Sequence, residues 1–170
     1  EIESYLENRS RKGFNVIQVM VLHTLSDRNV YGDSALTGRR ISMPRVTDGH
    51  AFEDPVQYDY WDHVDYVIDR AAEKGLYMAL VPVCGSNVKS GLVNRDEAAQ
   101  WAAWLADRYK DRSHIIWLNG GDTRGSDSTE IWKIIGTTIK QTDPGHLMTF
   151  HPFGRTSSSI WFHDEEWLDF

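Results

Sequence analysis

Residues 119–123 read Asn119-Gly120-Gly121-Asp122-Thr123 and follow directly on an apolar, strand-like stretch. Two adjacent glycines let a backbone turn sharply and leave room beside it for a ligand. The carboxylate of Asp122 would then project past the end of a sheet. A partly desolvated acid in such a place holds its proton more tightly and can donate it to a departing oxygen. A second reading stands beside this one: Asp122 caps the turn that follows, and spacing alone does not choose between them.

Acid-assisted cleavage of a glycosidic bond takes two carboxylates, about 5–5.5 Å apart for retention and about 6.5–9.5 Å for inversion. No convincing second carboxylate stands at another strand end of this chain. Glu130 falls in the helix after the same loop, and Asp164, Glu165 and Glu166 form a solvated run, so each reads as structural. A partner for Asp122 is expected beyond Phe170. His23 and His151 also stand at strand ends, with Arg155 close behind, and such groups hydrogen-bond to hydroxyls or pair with acids. With His163 they raise a metal reading, because imidazoles and an aspartate can bind Zn2+. Their spacing matches neither HxH nor HExxH, and no metal or cofactor is expected. Trp161 follows Ser157-Ser158-Ser159 in a loop over the same end, where its ring either stacks on a sugar or anchors the loop. Trp101 and Trp104 lie in a helical stretch and read as packing.

These residues need elements to hold them. Residues 14–21, 76–83, 115–118 and 147–150 are β-branched and apolar at nearly every position, as in strands covered on both faces. Residues 167–170 look like the start of another. Between them lie helical stretches at 1–12, 57–74 and 95–110, and a fourth that ends before Asp143. Gly13 and Gly75 stop the first two, Asn94 caps the third, and Ser128 or Asp127 caps the fourth. On the second, Tyr60, Val64, Val67, Ile68 and Ala71 form the apolar stripe, opposite Asp62, Asp65 and Asp69.

Strands of this kind alternating with helices argue for a parallel sheet with helices outside. The loops after strands are long (22–56, 83–94, 151–166) and the returns at 12–13 and 74–75 are short. That asymmetry favours an eightfold barrel over a doubly wound sheet, and no GxGxxG or GxxxxGK[ST] turn follows a strand. A barrel takes about 250 residues, and this chain has 170. The expected architecture is therefore α/β: an incomplete (β/α)8 TIM barrel holding about strands 2 to 5 and the start of 6. Its first strand and C-terminal strands would lie outside residues 1–170. Half a barrel exposes unpaired strand edges, so residues 1–170 alone are expected to be unstable or inactive.

A net charge of −7 with no basic stripe gives nucleic acid little to hold. No apolar run approaches the roughly 18 residues of a membrane span. The single cysteine, Cys84, excludes an internal disulfide.

The order of segments resembles the apiosidase-like glycoside hydrolases, a family of bacterial glycosidases on a (β/α)8 barrel. The likeness runs through Lys12-Gly13-Phe14-Asn15-Val16-Ile17-Gln18 and Tyr60-Trp61-Asp62-His63-Val64-Asp65. It continues through Arg108-Tyr109-Lys110-Asp111-Arg112, Ile115-Ile116-Trp117, Gly120-Gly121-Asp122-Thr123, Met148-Thr149-Phe150-His151-Pro152 and Trp161-Phe162-His163 to Phe170. The resemblance implies that Asp122 is the general acid/base at the end of the fourth strand, acting with a glutamate from a later strand. It places the family's Gly-Asp-Thr motif ahead of Glu1 and implies a plant pectic polysaccharide as substrate and a periplasmic or secreted location. His23, Asn119, His151, Arg155 and Trp161 are the candidate substrate contacts. Cys84-Gly85 departs from the Trp-Gly expected after the third strand, which alters the local sugar contact. The alternatives are a carbohydrate-binding barrel without catalysis and a metal-dependent hydrolase using His23, Asp122 and His151.

Overall fold

The computed structural model describes every residue from Glu1 to Phe170. Four strands, β1 (Val16–Met20), β2 (Tyr77–Val81), β3 (Ile115–Thr123) and β4 (Met148–Pro152), pair in that order and all in parallel. Helix α1 (Ile2–Arg11) precedes β1, and α2 (Tyr60–Glu73) follows it. Helices α3 (Gly85–Lys89) and α4 (Arg95–Tyr109) follow β2, α5 (Thr129–Thr142) follows β3, and α6 (Ser159–Phe162) follows β4.

Strand register sorts the side chains into two faces. Ile17, Met78, Ile115, Trp117, Asn119, Met148 and Phe150 share the face that the helices bury. Gln18, Ala79, Ile116, Leu118, Gly120 and His151 share the opposite face, which is the inner wall of a barrel.

Helix α2 begins at Tyr60 rather than near residue 57 because Asp59 stops the chain there. Its side chain accepts from the N–H groups of Trp61 (2.6 Å) and Asp62 (3.1 Å), while Asp62 accepts from the Asp59 N–H at 3.0 Å. This is a capping box built from two aspartates. The acidic stripe of α2 is turned to α4. Arg108 holds Asp65 in two bonds of 3.1 and 3.0 Å, and Arg112 reaches Asp69 at 2.9 Å. Beside these pairs, Trp61, Trp101 and Trp104 pack ring to ring at centroid separations of 4.7–5.6 Å. Such pairs contribute about 0.5–1.5 kcal/mol each beyond their buried area. The indole of Trp61 also donates to the Ala35 carbonyl at 3.0 Å, which pins the long loop after β1 to the helix layer.

Asn94 caps α4 as expected, accepting from the Glu97 N–H at 2.9 Å. The start of α5 differs. Ser128 occupies the cap position at φ +63°, a left-handed conformation, and makes no side-chain cap bond. A capping side chain needs an extended backbone to reach back over the first turn. Asp127 does not cap either; its carbonyl accepts from the Trp132 indole at 2.7 Å.

Residues 167–170 are not a strand in this chain, but Asp169 donates its N–H to the Met148 carbonyl at 2.8 Å, alongside β4. Trp167 is buried against Gly136 of α5, where a Cβ would stand 2.5 Å from the indole. No helix is long and apolar enough to cross a membrane.

Candidate active site

Strand β3 extends five residues past the apolar stretch and carries Asn119 to Thr123 as its last turn of sheet. Its pairing with β4 slips there: Gly120 faces His151, and the next pair is Thr123 with Pro152. Gly121 and Asp122 are the residues left over, so they form a bulge at the carboxyl end of the strand. Bulges re-aim side chains and cluster beside active sites. The backbone at Gly120, Gly121 and Asp122 has φ of +100°, +121° and +58°. Glycine tolerates such angles freely; Asp122 does so as the kind of short polar residue that enters the left-handed region.

Space enforces the same two glycines. A Cβ on Gly120 would stand 2.7 Å from the His151 carbonyl oxygen, and one on Gly121 would stand 2.9 Å from that of Val83. Gly85 is equally confined, with the Gly121 carbonyl 2.6 Å from where its Cβ would be. The turn after β2 therefore sits directly on the bulge of β3.

The bulge frees the Asp122 N–H from the ladder, and His151 takes it: the bond to Nδ1 is 3.1 Å. Asp122 itself is exposed at this end of the sheet. His151 lies on the inner face at the end of β4, in register with Gly120. His23 is exposed just past the end of β1. Its N–H donates to Asp27 Oδ2 at 2.6 Å, and its carbonyl accepts from Asn87 Nδ2 at 2.9 Å.

The other expected contacts fare differently. Asn119 is 0% exposed and points to the helix layer. Its Nδ2 donates to the Trp132 carbonyl at 2.7 Å, and its Oδ1 accepts from the Gly120 N–H at 3.0 Å. Both polar atoms serve the packing of α5 on β3. This corrects the expectation of a sugar contact: on this strand an odd-numbered residue shares the outward face with Trp117. Arg155 is exposed in the loop after β4 at φ +68°. Trp161 is half-buried on α6, 6.3 Å from the Phe150 ring and against Gly125, so it anchors this loop.

Glu130 pairs with Arg95 at 3.5 Å and Glu165 with Lys133 at 2.6 Å, while Asp164 and Glu166 are exposed. His23, Asp122 and His151 do not converge as a ligand set, and no group of three or more His, Cys, Asp or Glu side chains does. Sequence reasoning missed Asp27 and Asn87, which hold His23. Asn87 is 64 positions away and had no local signal beyond lying in a strand-end loop.

The whole chain, residues 1–170, matches the family model described as apiosidase-like, catalytic domain. The chain belongs to the apiosidase-like family. Two solved structures support the membership. One, described as a glycoside hydrolase, is 44% identical with a TM-score of 0.88, over 99% of this chain and 36% of its own. The other, a glycoside hydrolase family 5 protein from Bacteroides vulgatus, is 42% identical with a TM-score of 0.89, over 99% and 35%. This apiosidase-like chain thus spans about a third of the length of those proteins. An endo-1,4-beta-D-mannanase from Thermotoga petrophila shares the fold at 18% identity and a TM-score of 0.64, over 88% and 50%. The four parallel strands and their helices are accordingly an arc of the (β/α)8 barrel, as expected from the long loops after the strands and the short returns before them. No curated protein sequence matches the chain.

Proposed function

We propose that the chain forms the Asp122-bearing part of a glycoside hydrolase that cleaves O-glycosidic bonds in pectic plant polysaccharides or their oligosaccharides. The observation that carries this reading is the bulge at the end of β3. It holds Asp122 at the strand ends, its backbone N–H bonded to His151 and its side chain exposed, where (β/α)8 barrels build their sites. Membership of the apiosidase-like family supports the reaction class.

In the proposed reaction Asp122 gives its proton to the glycosidic oxygen as the bond to the anomeric carbon breaks. The leaving sugar departs as an alcohol, and positive charge develops on the ring left behind. A second carboxylate, supplied from outside residues 1–170, acts on that ring from the other side, directly or through a water. His23 and His151 offer imidazoles to sugar hydroxyls, and Arg155 offers a cation to an acidic sugar. The enzyme itself is proposed as periplasmic or secreted, in keeping with a polymeric substrate. The test is release of reducing sugar from pectic oligosaccharides by the full-length protein. Release is expected; binding of the same oligosaccharides without any release would make it a carbohydrate-binding barrel instead.

A further inference from the structure

The end of β1 has three consecutive carbonyls, and each receives a donor from a different place. Val21 O accepts from the Tyr60 hydroxyl of α2 at 2.8 Å. Leu22 O accepts from the Cys84 N–H in the turn after β2 at 2.9 Å. His23 O accepts from Asn87 Nδ2, on α3, at 2.9 Å. Burial pushes the Tyr60 hydroxyl up to about 12, so it stays a donor throughout the working range of any hydrolase.

The third bond is unlike the other two. Val21 and Leu22 are buried, and buried carbonyls must find partners. His23 is exposed, and water could serve its carbonyl. A buried side chain serves it instead: Asn87 is 6% exposed, and its amide also lies 3.5 Å from the Cys84 carbonyl. On the other side Asp27 fixes the His23 N–H, and its second oxygen binds the Thr24 N–H at 3.0 Å and hydroxyl at 2.6 Å. The main chain of His23 is therefore clamped on both sides, while its imidazole makes no hydrogen bond within the chain. Holding an exposed residue this firmly with its ring left free is the arrangement of a preorganised contact.

We infer that Asn87 is a positioning residue for substrate: through the His23 carbonyl it fixes the imidazole at the barrel mouth, ready for a sugar hydroxyl. The inference rests on the glycoside hydrolase reading above. It ties recognition at the end of β1 to the short helix after β2, so the two loops form one binding unit.

The test is a double-mutant cycle in the full-length protein. Asn87→Ala should raise KM by roughly 3- to 10-fold, the worth of one hydrogen bond, and leave kcat within about twofold. Added to His23→Ala, it should cause no further rise, because its effect passes through that ring. Effects that simply multiply in the double variant would overturn the inference. Asn87→Asp keeps the shape of the side chain and turns its donor into an acceptor facing the His23 carbonyl. It should raise KM at least as much, and a normal KM would overturn the inference even if Asn87→Ala failed to fold. A wild type that turns over no glycoside would defeat the hydrolase reading separately. The His23 ring proton signal in the NMR spectrum then decides the positioning role: displaced in Asn87→Asp it supports it, unchanged it removes it.

Discussion

The backbone N–H of Asp122 donates to Nδ1 of His151 at 3.1 Å and so joins the ends of β3 and β4 across the bulge. An accepting Nδ1 leaves the proton of the neutral ring on Nε2, which becomes the donor available to substrate. Long-range proton–nitrogen correlation spectra of the neutral ring should show His151 protonated on Nε2 and unprotonated on Nδ1. His151→Ala should loosen the Asp122 turn and lower kcat/KM by about 10²-fold, the scale of a misplaced catalytic group. A neutral ring protonated on Nδ1 would contradict the bond.

Asn119 belongs to the fold. Its amide joins β3 to α5 through the Trp132 carbonyl, in a fully buried place. Asn119→Ala leaves that carbonyl and the Gly120 N–H without their partner, and should cost about 1–3 kcal/mol in denaturant unfolding. KM should stay within about twofold, because no interaction with substrate is removed. A raised KM with unchanged stability would return Asn119 to the substrate.

The fold was legible where pattern and local chemistry agree. The Ile- and Val-rich runs gave the strands, Asn94 marked the start of α4, the alternation gave a parallel sheet, and the long loops after its strands gave the barrel. The direction of Asn119 was not legible for a physical reason. Strands covered on both faces are apolar throughout, so alternation does not say which residues point inward. Ile115, Ile116, Trp117 and Leu118 carry no such signal, and only the register with β2 and β4 supplies it. The bulge escaped for a related reason: a Gly-Gly pair announces a turn, but a slip against His151 depends on a strand about thirty residues further on. Ser128 illustrates the limit of cap rules, since its backbone is left-handed and its hydroxyl makes no bond to the helix it should cap.

The loop after β1 carries a dependence on pH. His63 of α2 sits among the rings of Tyr31, Tyr58 and Tyr66, with the Tyr58 hydroxyl 3.2 Å from its Nδ1. Burial lowers its affinity for a proton below the ordinary value of 6.5. The unfolded chain therefore binds that proton more readily than the folded one. Stability is fully present above 6.5 and is lost as pH falls through the depressed value. Thermal midpoints measured across about pH 5 to 8 should fall on the acid side in the wild type. The fall should be shallower in His63→Phe, which keeps the ring packing. Parallel curves would contradict this role for His63.

The central claim is that Asp122 donates the proton to the leaving oxygen. Its left-handed φ of +58° allows a control that a turn-capping role cannot pass, because glycine accepts that angle without strain. The deciding measurement is kcat/KM of the full-length protein on pectic oligosaccharides and on aryl glycosides, for wild type, Asp122→Asn and Asp122→Gly. Both variants should fold with unimpaired thermal midpoints and lose about 10²–10⁴-fold on the oligosaccharides. They should lose far less on aryl glycosides, whose leaving groups depart without a proton. Near-normal turnover of oligosaccharides by either folded variant would contradict the claim and leave Asp122 as part of the turn.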